Sequence, residues 1–180
     1  MNLQEVFNYT FKKLFIQGPG INDKGDCCVV GVKENKTVYC AIGFLITKLE
    51  RTRISNRLKA GITNTDILEE IGMLEILGEE VDYIESMRHY NLEGISNAHL
   101  TGLITAHDEA ATKTEHSFSH FDYIQGCSGT KNQRLQLWRS LLLNSYLKFA
   151  SKYGLETKIC RALYANNAMD LKSQCIDMSL

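Results

Sequence analysis

Residues 27–46 read Cys27-Cys28-Val29-Val30-Gly31-Val32-Lys33-Glu34-Asn35-Lys36-Thr37-Val38-Tyr39-Cys40-Ala41-Ile42-Gly43-Phe44-Leu45-Ile46. Two β-branched, apolar runs, Cys27 to Val32 and Thr37 to Ile42, flank the polar turn Lys33-Glu34-Asn35-Lys36, which predicts a β-hairpin. The period then changes. Ala41, Phe44, Leu45 and Leu49 suit helical spacing, so the second strand is expected to run into a helix near Cys40.

Helices dominate on both sides of the hairpin. Leu3, Val6, Phe7, Thr10, Phe11, Leu14 and Phe15 predict an amphipathic helix over 3–16, stopped by Gln17-Gly18-Pro19-Gly20. Residues 97–112 predict another, with Asn97 as its cap and Leu100, Leu103, Ile104, His107 and Ala111 on one face. The strongest stripe is Leu135, Trp138, Leu142, Tyr146, Phe149 and Tyr153, a helix over 132–153 capped by Gly154. Residues 114–131 are rich in Ser, Gly and Thr and read as a loop. Residues 157–165 fit a strand or a short helix, with a fraying end. The fold class expected is α+β: a mostly helical single domain covering a small antiparallel β-hairpin. It spans 1–156, with 114–131 a loop insertion and 157–180 a C-terminal extension.

With 180 residues the chain can bury a core without disulfide staples. Twenty basic against 21 acidic residues argue against a general nucleic-acid binder. No 18-residue apolar run crosses a membrane, and Lys12 and Lys13 break the only apolar stretch near the N-terminus, which disfavours a secretory signal. A cytoplasmic protein with reduced thiols is expected for Cys27, Cys28, Cys40, Cys127, Cys160 and Cys175.

Four spaced pieces carry a resemblance. They are the helix ending in Gln17-Gly18; a cysteine and hairpin leading to Cys40-Ala41-Ile42-Gly43-Phe44-Leu45-Ile46; Leu103-Ile104-Thr105-Ala106-His107-Asp108-Glu109-Ala110; and Trp138 followed by leucines, Ala150 and Tyr153-Gly154-Leu155. Together the chain resembles a family of small uncharacterised proteins carried by tailed phages and prophages. Members usually have a Tyr-Arg pair where Cys28-Val29-Val30 stands, and a Pro-Asp-Glu turn where Thr47-Lys48-Leu49-Glu50 stands. The resemblance implies a phage genome and a shared α+β fold, and it implies no activity.

Three clusters are candidates for function. In the first, Cys40 at a helix start would have a lowered thiol pKa, with Cys28 opposite it and His107 as base, as in a cysteine-dependent hydrolase or transferase. Asp108 follows His107 at about 100° around the helix, so it is not expected to orient the imidazole. The plainer reading makes the cysteines core residues and has His107 cap a carbonyl. No metal site is expected: structural zinc takes four ligands and no paired C-x-x-C is present. The trio His116, His120 and Cys127 lies in the expected loop.

The second cluster, Gly126, Cys127, Ser128, Gly129, Thr130 and Lys131 with Arg134, could hold an anion or nucleotide on backbone N–H groups at a helix start. It does not match the P-loop spacing, and an ordinary turn and cap explain it as well. The third is charge segregation. Residues 48–59 hold five basic residues and one acidic, whereas 66–85 hold eight acidic residues and no basic one, among them Glu75, Glu79 and Glu80. Such a polarised surface suits a partner protein, and it equally suits solvated helices. The leading expectation is an accessory protein that binds a host protein, without cofactor or complete catalytic motif. Nucleic acid is not favoured, and a homodimer stays open.

Overall fold

The computed structural model describes residues 1–22, 27, 30–45, 52, 56, 94–125 and 131–177. Its elements are α1 (Leu3–Gln17), β1 (Val30–Lys33), β2 (Lys36–Tyr39), α2 (Asn97–Gln125), α3 (Lys131–Tyr153) and α4 (Lys158–Asp177). Among the described residues, these four helices and one two-stranded antiparallel sheet make a mostly helical α+β domain.

Helix α1 starts with a capping box. The Asn2 side chain accepts from the Glu5 N–H at 2.9 Å, and the Glu5 carboxylate accepts from the Asn2 N–H at 2.9 Å, so two otherwise orphaned donors are satisfied. Gly18, at φ 94°, ends the helix by returning its N–H to Leu14. The buried face is Val6, Phe7, Thr10, Phe11, Leu14 and Phe15, as the spacing predicts.

The hairpin pairs Val30 with Tyr39 and Lys33 with Lys36. Its two-residue loop puts Glu34 (φ 49°) and Asn35 (φ 62°) in the left-handed region, the backbone that matches the twist of paired strands. The second strand is shorter than expected, stopping at Tyr39. Cys27 forms an isolated bridge to Ile21, and residues 28 and 29 lie outside those described. Ala41, Ile42, Phe44 and Leu45 are all buried. They form a turn, with Phe44 N–H donating to the Cys40 carbonyl and Leu45 N–H to that of Ile42. No helix begins at Cys40; residues 46–51 lie outside those described.

Two expectations about α2 are corrected. Ser96 caps it, not Asn97: the His99 N–H donates to Ser96 Oγ at 3.4 Å and the Ser96 N–H to His99 Nδ1 at 3.1 Å. The helix also runs on to Gln125, through most of the expected loop. The Thr114 hydroxyl donates to the Ala110 carbonyl at 2.7 Å and that of Ser117 to Lys113 at 2.8 Å, so these hydroxyls bond back along the helix instead of competing with it. Residues 158–177, ambiguous in sequence, are helical, and Cys160 of α4 belongs to the common core.

That core joins α1, α2 and α3. Trp138 and Tyr146 are fully buried. Trp138 Nε1 donates to the Leu14 carbonyl at 3.1 Å, and the Tyr146 hydroxyl donates to Thr10 Oγ1 at 3.2 Å. Phe7 lies over Phe149 in a stacked pair, 6.0 Å between ring centres. Arg139 ties three helices: Nε donates to the Phe15 carbonyl, the guanidinium lies over the Phe15 ring, and a second nitrogen donates to Asn167 of α4.

Candidate functional site

The residues of most chemical interest meet where α2 crosses the segment between α1 and the hairpin. Helical spacing places His107 on the buried face of α2, with no exposed surface and with the Trp138 ring edge-on at 5.6 Å. Its Nε2 accepts the Gly20 N–H at 3.0 Å. Its Nδ1 lies 2.7 Å from Asp108 Oδ1. An acceptor at Nε2 requires the proton at Nδ1, so the imidazole is held as the Nδ1–H tautomer and donates to Asp108.

Asp108 therefore does orient His107, contrary to the reading from helix angle. Nδ1 is the ring nitrogen nearer the backbone, and a short carboxylate on the next residue reaches it. Nor does His107 cap a carbonyl; it takes up a backbone N–H 87 residues away in sequence. Gly20 is required there for space. A methyl group on it would lie 2.4 Å from the Tyr39 carbonyl oxygen and 2.9 Å from the Cys40 nitrogen. Gln17 completes the arrangement, its side chain accepting from the Tyr39 N–H at 3.1 Å and donating to the Tyr39 carbonyl at 2.8 Å.

The cysteine that joins this cluster is Cys27, not Cys40. Candidate ligand atoms of Cys27, His107 and Asp108 all lie within 4.8 Å of one another. Cys27 is half-buried and Asp108 partly exposed, so the cluster reaches the surface through these two residues. The three atoms could in principle hold a borderline metal such as zinc. The tautomer argues against it: with Nε2 engaged by Gly20 and Nδ1 protonated toward Asp108, the ring offers no lone pair to an ion.

Cys40 is buried on the core side, where it and Cys160 lie close enough to Tyr146 to act electrostatically on its hydroxyl. Burial pushes the Tyr146 phenol well above its usual range, opposed by the Thr10 hydrogen bond. Burial likewise pushes the Cys160 thiol up to about 12. Cys27, Cys40 and Cys160 are thiols rather than disulfides. Among the described residues no helix N-terminus stands at Cys40, where 41–45 form a turn.

The other expected sites are not assembled among the described residues. Cys28, Cys127, Glu75, Glu79, Glu80, Gly126, Ser128, Gly129 and Thr130 lie outside them, as does nearly all of the basic 48–59 stretch. Lys131 opens α3. Arg134 pairs at 4.0 Å with Glu115, tying α3 to α2, and Glu115 also meets Lys33 of the hairpin at 3.7 Å. His116 is exposed on α2.

Sequence reading groups Cys27 or Cys28 with Cys40 and His107 only as possible metal ligands, and it misses Gly20 as the neighbour of His107. A vicinal Cys27-Cys28 pair signals only that one thiol faces each way, and Gly18-Pro19-Gly20 reads as a helix stop. No helix of the described residues is long and apolar enough to cross a membrane. No family model, curated protein or solved structure matches the chain.

Proposed function

We propose that the chain is a binding protein acting on a partner protein, and not a thiol enzyme. One observation carries this reading: both ring nitrogens of His107 are engaged inside the fold, by Gly20 and Asp108. A general base needs a lone pair facing the nucleophile it activates. The pieces that resemble the phage family are used instead to fasten elements together. Gln17 holds Tyr39, His107 holds Gly20, and Trp138 holds Leu14. With those residues spent on the scaffold, function passes to the surface. On the resemblance, the gene is a phage's and the partner a host protein, met by a charge-polarised surface that includes Glu75, Glu79 and Glu80.

The test is capture from host lysate at moderate salt, with Cys27→Ala and Cys40→Ala variants beside one in which Glu75, Glu79 and Glu80 are reversed to lysine. One dominant host protein, kept by the alanine variants and lost on charge reversal, is the expected result. No enriched partner overturns the reading.

A second reading is favoured by the position of Cys27, which would replace Cys40 as nucleophile beside His107 and Asp108. It needs the Gly20 N–H to release Nε2. Rapid alkylation of Cys27 at pH 6, where an ordinary thiol is protonated, would favour it over the binding reading.

A further inference from the structure

The faces of α2 and α3 that point away from the His107 cluster form an open groove of about 690 Å³. From Ala98 to Glu109 the groove follows α2 for three turns, about 16 Å at the helical rise. Its α2 side carries the small residues Ala98, Gly102 and Ala106. At Gly102 the Phe149 ring comes so close that a methyl group would sit 2.7 Å from it.

Three features of the groove are polar. The Ser145 hydroxyl is in its floor, only 6% exposed, and has no hydrogen-bond partner among the described residues. A serine inside a helix ordinarily returns its hydroxyl to the carbonyl four residues back, as Thr10, Thr105 and Thr114 do here. Ser145 does not, and a buried unpaired hydroxyl costs free energy unless something meets it. Above it on the α3 rim stand Lys148 and Lys152, one turn apart. Lys148 shares Glu109 with Lys113, at 3.7 and 4.0 Å, and Lys152 lies over the Tyr153 ring. The lining thus carries two ammonium groups against one carboxylate.

We infer that this groove takes an acidic peptide segment of the partner protein. The groove's length suits about five extended residues. Its rim is cationic, and its floor offers a hydroxyl that backbone N–H or C=O groups can pair. A purely apolar helix would leave Ser145 unsatisfied. The inference rests on the binding-protein reading and gives it a second contact surface, opposite in charge to the 66–85 stretch.

The experiment is selection of a random 12-residue peptide library on the immobilised full chain, in parallel with the Lys148→Glu/Lys152→Glu double variant. The expected result is a set of peptides rich in Asp and Glu on the wild type and none of them on the variant. A selected peptide should bind Ser145→Ala about three- to tenfold more weakly, while the melting temperature of that variant is unchanged or raised. An acidic set that survives the lysine reversals overturns the inference. So does the absence of any enriched set, whether the groove takes a small anion instead, is covered by the chain itself, or takes nothing. The two readings fail separately: a host protein captured by both the wild type and the lysine variant keeps the binding reading and removes the groove. An acidic set without any captured host protein does the reverse.

Discussion

Gly20 sits between two backbones. Its N–H is spent on His107, and its α-carbon faces the Tyr39 carbonyl so closely that a methyl group would be 2.4 Å from oxygen. Backbone cannot turn aside as a flexible side chain does, so overpacking here must move β2 or the segment after α1. Gly20→Ala is expected to lower stability by about 2–3 kcal/mol, measured as a shift of the urea midpoint at constant slope. An unchanged midpoint would mean that the Tyr39–Cys40 backbone is free to yield. His107 serves the same joint from the other side. Its chemistry looks catalytic in the sequence because a histidine followed by an acid is a familiar pairing; in the fold its ring nitrogens meet the Gly20 N–H and Asp108.

At the scale of elements, α1 is defined by local chemistry from end to end. Asn2 and Glu5 satisfy its first donors, the apolar stripe supplies its buried face, and Gly18 turns it off. Asn2→Ala removes the half of the box in which the Asn2 side chain accepts from the Glu5 N–H, leaves the backbone N–H that donates to Glu5, and is expected to cost about 1 kcal/mol, read as a small fall in melting temperature with unchanged helix content. Here sequence reading succeeds, because the decisive contacts lie three or four residues apart. It does less well on α2. Ser, Thr and His in 114–117 lower helix propensity and suggest a loop, but Thr114 and Ser117 bond back to the helix. Glu115 gains Lys33 of β1 and Arg134 of α3. Those partners are distant in sequence, so the extension was not legible there. The short β2 has the same kind of cause: after Tyr39 the chain turns into the core, with Cys40, Ala41, Ile42, Phe44 and Leu45 buried, a packing that the local β-branched run does not report.

At the scale of the whole molecule, α4 joins the core through Cys160, and the core makes two ionisable groups sensitive to alkali. Burial pushes the Cys160 thiol up to about 12 and raises the Tyr146 phenol further. Between about pH 9 and 12 the unfolded chain releases the Cys160 proton while the folded chain keeps it, so stability falls as pH rises through that window. One thiol contributes up to about 1.4 kcal/mol per pH unit, and Tyr146 adds in the same direction once the pH passes the ordinary phenol value. Chemical denaturation across this range should show the decline, and Cys160→Ala should flatten it. An equal slope in the variant would place the loss elsewhere.

The sequence by itself determined the fold class, the faces of α1 and α3 and the site of the hairpin turn, because each depends on residues within one or two turns of each other. It also marked His107, Asp108 and the cysteines as residues of interest. Only the tertiary structure decided that Cys27 and Gly20, rather than Cys40, are the neighbours of His107. It alone decided that Cys40 turns into the core and that Ser145 has no hydrogen-bond partner among the described residues. Those outcomes depend on how helices and loops tens of residues apart pack together. Local periodicity says which face of an element is buried, but not which atom of a distant element it meets.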